Sequence, residues 1–372
     1  YRDGCDTFGT DGLLYHKMGI QIDRQLDSGI SITAVKYSYT WYTVFVGLIY
    51  HLFGVCRYYA SFINAFIAFF SGIVLFKIAM KQKYSFENSA FISLGFLYFP
   101  NIFLWTSDTR KEALVFFVSF LIWFFVQNII LDAGNKKRFS RNVIQTILVC
   151  LLIWLITLIR IYLFIPIIGG IIASLLVYYT KTRNRYFFVI ITAVFVSMTV
   201  IFTAMMCKGI DNYHAVEFNQ SQSEDMLEDM QEKIDFLEQV ASKRNLLTSV
   251  IDYLTLPHLE NVNIADIRGM KRLTLCVQID MLVWYVCLVL MLTGIYSAVK
   301  NRDVFLIGVL TYIVIYILIN AMLIDYEPGT VYRYRAQIVG MSMLFIDWNV
   351  IRNVLFTRNY MFLKFTRLLK NN

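Results

Sequence analysis

Apolar runs of about 20 residues recur along most of the chain, each closed by a short polar break. They fall at 58–80, 86–105, 111–131, 143–164, 166–180, 186–206, 279–299, 303–324 and 336–351. A helix rising 1.5 Å per residue crosses the ~30 Å hydrocarbon core of a bilayer in about 20 residues. The pattern therefore predicts an all-α polytopic transmembrane helical protein with about nine to ten spans. The run at 166–180 is short, and the Ile165-Pro166 step before it predicts a tight turn or kink. The run at 41–56 has 16 residues and ends in Gly54 and Arg57. It reads as a helix lying at the membrane interface, with a short span as the alternative.

Composition supports the same fold class. Charged residues make up 16% of the chain, where soluble domains carry about a quarter, and 58% of residues are hydrophobic. The net charge of +8 is not a nucleic-acid footprint, because it is distributed over alternate loops. "KIAMKQK" (77–83), "NKKRFSR" (135–141), "TKTRNR" (180–185), "KNR" (300–302) and the tail from Arg352 are basic, which marks the cytoplasmic side. The opposite loops carry Asp3, Asp6 and Asp11, then "SDTRKE" (107–112), a long acidic segment and "DYEPGTVYRYR" (325–335). By this alternation Tyr1 lies outside, so a further span entering from the cytoplasm is expected upstream of it.

The resulting organisation is a first extracytoplasmic loop (1–40), transmembrane helices with the interfacial helix (41–206), an extracytoplasmic helical loop (207–275), further transmembrane helices (276–351) and a basic cytoplasmic tail (352–372). Within the loop, 221–254 reads as an amphipathic helix, with Met226, Met230, Ile234, Leu237 and Ala241 at spacings of three and four. Ser221 and Glu224 fit a capping box. This helix is expected to act as a lid or spacer on the membrane surface rather than to supply catalytic acids. The six cysteines form no C-x-x-C pair; Cys207 and Cys276 flank the loop, where a disulfide and two buried thiols are both open readings.

The polar residues hardest to explain as solvation gather at one face. They are Asp6 and Asp11, then Asp108, Arg110, Lys111 and Glu112, then Arg160, Asp280, Arg333 and Arg335. Charges at membrane depth are costly unless they pair, snorkel or line a wet cavity, so an external, water-reachable cleft between helices is expected. Near the start, "FGTDGLLYHKMG" (8–19) adds Tyr15 and His16 to Asp11. Guanidinium groups suit a phosphorylated lipid headgroup, and a carboxylate suits proton removal from a hydroxyl acceptor.

Each residue also has a plainer role. Asp11 in "GTDG" fits a turn or the cap of a helix beginning at Leu13 equally well. Asp6 reads as a solvated loop acid, or as a partner of Asp11 in base or metal duty. His16 reads as a packing or hydrogen-bonding residue, since nothing nearby completes a ligand spacing. Arg110, Lys111 and Glu112 fit a surface ion-pair set, Arg160 fits snorkelling, and "YRYR" (332–335) fits an interfacial anchor. No metal ligand set is identified, and a divalent cation stays open as a cofactor.

Taken in order, "GTDGLLYH", "YHLFGVCRYYASFINAF" (50–66), "FPNIFLWTSDTRKEAL" (99–114), "LIRIYLF" (158–164) and "YRYR" resemble the GT-C class of polyprenyl-phosphate-dependent membrane glycosyltransferases, in particular the bacterial family 39-like members. The resemblance implies an external active-site cavity, a polyprenyl-phosphate-linked sugar as donor, inversion at the anomeric carbon, and a glycan or lipid acceptor. It maps the first-loop base onto Asp11 and the lipid-phosphate contacts onto Arg333 and Arg335. The chain departs from the class where the usual adjacent acidic pair is split between Asp6 and Asp11, and where "YSYTWY" (37–42) replaces a proline-rich element. A polysaccharide polymerase of the O-antigen type is the nearest rival; a lipid-linked sugar transporter and a non-catalytic assembly protein are further alternatives.

Overall fold

The computed structural model describes residues 10–37, 40–133, 138–182, 246–259, 271–323 and 328–346. Among these the regular structure is helical, without a strand. The helices are α1 (Thr10–Asp27), α2 (Tyr42–Phe53), α3 (Arg57–Lys81), α4 (Phe86–Leu97), α5 (Pro100–Thr106), α6 (Glu112–Asp132), α7 (Phe139–Ile159), α8 (Phe164–Thr182), α9 (Leu246–Thr255), α10 (Lys271–Lys300), α11 (Val304–Leu323) and α12 (Pro328–Ser342).

Six helical segments are long and apolar enough to cross a membrane: Arg57–Lys81, Glu112–Asp132, Phe139–Ile159, Ile161–Thr182, Thr274–Lys300 and Val304–Met322. The pair α4 and α5, bent by 55° at the Tyr98–Phe99 break, makes a seventh if read as one broken span. Pro100 sets this break, because it opens α5 where no helical N–H is required. These positions match seven of the runs read from the sequence. The run at 186–206, the part 221–245 of the helix expected over 221–254, and Cys207 lie outside the described residues; 246–254 falls in α9.

Three expectations change. The turn before the short fifth run lies at Arg160, whose extended backbone (φ −149°, ψ 92°) ends α7, and not at Pro166, which sits in the first turn of α8. The run at 336–351, as far as it is described, is an interior helix: every residue from 335 to 346 is buried against protein. The short helix α9, within the loop expected to stand outside, docks on the bundle. Trp284 Nε1 donates to the Leu254 carbonyl (2.9 Å) and the Tyr285 hydroxyl donates to that of Thr255 (2.7 Å). Its terminal carbonyls thus find donors within the protein.

Within the 41–56 run, α2 has 12 residues, which span only about 18 Å at 1.5 Å each. It buries one face against α1 through two glycines. A Cβ on Gly19 would meet Val46 at 2.6 Å, and one on Gly47 would meet Ile22 at 2.4 Å. Small residues do the same where α8 crosses α11: a Cβ on Gly170 would stand 2.6 Å from the Gly308 carbonyl oxygen. That neighbour is backbone and cannot rotate away. Gly170→Val is therefore expected to wedge α8 from α11 and cost about 1–3 kcal/mol, the usual range for overpacking. Thermal unfolding of the detergent-solubilised protein measures this, and an unchanged midpoint would contradict the close crossing.

Candidate functional site

Helix direction alternates, so the start of α3, the end of α5, the start of α6, the α7–α8 junction and the start of α8 share one end of the bundle. The turn 107–111 delivers Asp108, Arg110 and Lys111 to that end, and Glu112 follows as the first residue of α6. Asn64 of α3 holds the turn in place, donating to the carbonyls of Asp108 (2.7 Å) and Arg110 (2.8 Å). The break between α7 and α8 sends Arg160 inward.

Two chains of ion pairs result. In the first, Asp108 accepts from Arg57 Nη2 at 2.5 Å and from Arg110 Nε at 3.2 Å. In the second, one oxygen of Glu112, Oε1, accepts from Arg160 Nη2 and from Arg333 Nε, each at 2.5 Å. The other end of Arg333, Nη1, pairs with Asp11 Oδ2 in the first turn of α1. The chains meet where a Cβ on Gly12 would strike Asp108 Oδ2 at 2.5 Å, so glycine lets the start of α1 lie against the turn. Aromatic faces cover the guanidinium groups: Arg110 and Arg333 lie 4.7 and 5.9 Å from the Trp105 ring, and Arg160 lies 5.0 Å from that of Tyr334.

The cluster is buried, which decides among the plainer readings of its members. Arg110 is 1%, Glu112 0% and Arg160 3% exposed. Arg110 and Glu112 are therefore not a surface ion-pair set, and Arg160 does not snorkel; it has an acidic partner in Glu112, carried by a helix distant in sequence. In "YRYR", Arg335 is fully buried and Arg333 is engaged by Glu112 and Asp11, so both pair within the protein. At this end the described side chains are drawn together by their ion pairs. They interlock, and the cavity of about 330 Å³ lined by Gln82, Tyr84, Asn88, Ser297 and Asp303 lies at the other end of the bundle.

The remaining predicted residues divide. Tyr15 is buried edge-on to Tyr42, ring centroids 5.0 Å apart, just inside the cluster. His16 Nδ1 hydrogen-bonds the Tyr50 hydroxyl at 2.7 Å, which is the bonding role read for it; burial and then the nearby Arg57 charge lower its pKa. Asp6 lies outside the described residues. Arg335 belongs to a separate group: it faces Asp280 at 3.9 Å and donates to the Leu256 carbonyl at 2.6 Å, and does not share a partner with Asp11. Arg57, Asn64 and Trp105 complete the site without having been singled out. Arg57 stands at the break after Gly54, which reads as a helix end and not as a site.

Lys111 stands among these groups, and burial, followed by the Arg160 charge, pushes its ammonium down to about 7. Among the described residues, four guanidinium groups (Arg57, Arg110, Arg160, Arg333), joined by Lys111 when it is protonated, accompany three carboxylates (Asp11, Asp108, Glu112). Buried charge seeks balance, so this excess attracts an anion. For a metal ion, the donor group with suitable spacing among the described residues is Asp23, Asp27 and His51, whose ligand atoms lie within 4.8 Å of one another. Its nearest member in sequence, Asp23, stands about 18 Å along α1 from Asp11, at 1.5 Å per residue over 12 residue steps.

Searches against protein-family models, curated proteins and solved structures return no match. The architecture itself defines a helical, multi-pass membrane protein. Its charged cluster carries a stability consequence. Glu112→Gln leaves two buried guanidinium groups sharing a neutral amide, and removal of one partner from a buried pair costs about 3–5 kcal/mol. Chemical or thermal unfolding in detergent should register that loss; a change below about 1 kcal/mol, the value of an exposed pair, would contradict the buried geometry.

Proposed function

We propose that the protein is a membrane glycosyltransferase that moves a sugar from a polyprenyl-phosphate carrier to a glycan or lipid acceptor, with Asp11 as general base. The supporting observation is the convergence of Asp11, Arg333, Glu112 and Arg160 on one charge cluster at one end of the bundle. The opposite end carries Lys81, Lys83, Arg138, Arg141, Lys181, Lys300 and Arg302. Basic loops favour the cytoplasm, so the cluster faces the extracytoplasmic side of a plasma or inner membrane, where lipid-linked sugars are displayed.

The chemistry fits the charge excess. The acceptor hydroxyl oxygen bonds to the anomeric carbon, the bond from that carbon to the phosphate oxygen breaks, and the electron pair leaves with the phosphate. The hydroxyl proton passes to the Asp11 carboxylate. The donor's phosphodiester carries one negative charge, whereas the departing monoester carries about −1.5 to −2 at neutral pH. Surplus cations therefore stabilise the charge that develops as the sugar leaves, which is where binding energy accelerates a reaction. Arg333 and Arg160 would take it, because Arg335, the other basic residue assigned to the phosphate by resemblance, is held by Asp280 and the Leu256 carbonyl.

Four arginines at this end also favour a second reading, a polymerase acting on polyprenyl-diphosphate glycans. Membranes from an overexpressing strain, given radiolabelled polyprenyl-monophosphate or polyprenyl-diphosphate sugars, separate the two. The monophosphate donor should yield labelled product, and Asp11→Asn should lower the rate by about 10²–10⁴, the usual contribution of a general base. Product formed only from the diphosphate donor supports the polymerase. Undiminished product from Asp11→Asn removes Asp11 from the chemistry.

A further inference from the structure

One oxygen of Asp11, Oδ2, is engaged by Arg333 Nη1 and so is not open to an acceptor hydroxyl. The two arginines of its chain also stand ready for another ligand. Arg160, though buried, leaves Nε and Nη1 without hydrogen-bond partners, an expensive condition for a charged group. Arg160 Nη2 and Arg333 Nε each lie 2.5 Å from the same Glu112 oxygen, so these nitrogens stand at most 5.0 Å apart. The two guanidinium groups are therefore neighbours around Glu112.

We infer that Asp11 occupies, in the resting protein, the position on Arg333 that a lipid phosphate takes on binding, so that arrival of the phosphate frees the base. This rests on the transferase reading above and adds an order to it: phosphate first, then proton transfer. The mobility of each partner supports the exchange. Glu112 is fully buried and its Oε1 is fixed by two arginines, whereas the Asp11 side chain is 24% exposed and hangs from the first turn of α1. The Arg333 side chain is 14% exposed, and its Nη1 is the nitrogen that now holds Asp11. A phosphate offers more charge and more acceptor oxygens than a carboxylate, so it competes well for that nitrogen. The closed state of the cluster follows: the ion pair that shuts it is the one the substrate replaces.

The test measures equilibrium binding of a short-chain polyprenyl phosphate, and separately of inorganic phosphate, to the full chain in detergent. Asp11→Asn removes the internal competitor and should bind the lipid phosphate about tenfold more tightly than the parent, because apparent affinity rises with the fraction of open sites. Asp11→Ser removes the same charge and serves if the amide variant fails to fold. Asp108→Asn deletes an equal charge from the neighbouring chain, whose partners are Arg57 and Arg110, and should gain much less. Gain with both ligands identifies the phosphate group as the element recognised; gain with the lipid alone identifies its source as the bilayer. Parental affinity in both Asp11 variants overturns the exchange while leaving the transferase reading intact. An equal gain in Asp108→Asn overturns it too, as a general charge effect. Failure of the parent to bind polyprenyl phosphate removes the phosphate site, and with it the reading beneath.

Discussion

Glu112 has no exposed surface, yet two arginines from different parts of the chain converge on one of its oxygens. Ion pairs in water contribute little, because solvent already satisfies both charges. Within a helical bundle the alternative to pairing is a bare charge in a low-dielectric interior, and that asymmetry makes the contact decisive. Through Glu112 the start of α6, the α7–α8 junction and α12 are held to one another. Through Arg333 the start of α1 is added.

The rest of the fold serves this convergence by close approach. Glycines at 19 and 47 bring α1 against α2, and Gly12 brings the start of α1 against Asp108. Gly340 lets α12 pack on α6, where a Cβ would meet Phe120 at 2.3 Å. Side chains from α10 and α12 close the carbonyls of Leu254, Thr255 and Leu256 at the end of α9. A bundle drawn together in this way can hold charges at a depth where lipid would not tolerate them.

Most of the spans were legible in the sequence because a run of apolar residues reports its own length. The one-sidedness of the ionisable residues was legible too, since loop charges alternate with the helices. What the pattern could not carry was partnership. Arg160 reads as unpaired because its partner, Glu112, is 48 positions away, and Glu112 itself reads as a surface acid at a helix start. Arg333 and Arg335 look equivalent in "YRYR", yet two positions along a helix point about 200° apart, so one meets Asp11 and the other Asp280. Arg57 gave no signal beyond ending an apolar run. The run at 336–351 carries a similar ambiguity, because burial in protein and burial in lipid select the same apolar residues; its described part, to 346, is buried in protein.

The claim on which the account depends is that the first turn of α1 is coupled to α12 through Asp11 and Arg333. A double-mutant cycle measures that coupling directly, using unfolding free energies of the parent, Asp11→Asn, Arg333→Gln and the double variant in detergent. Residues in one ion-pair network are coupled by about 0.5–3 kcal/mol, so the double variant should lose less than the two single losses combined. Losses that add to within about 0.3 kcal/mol would show that the two side chains do not interact, and would contradict the account.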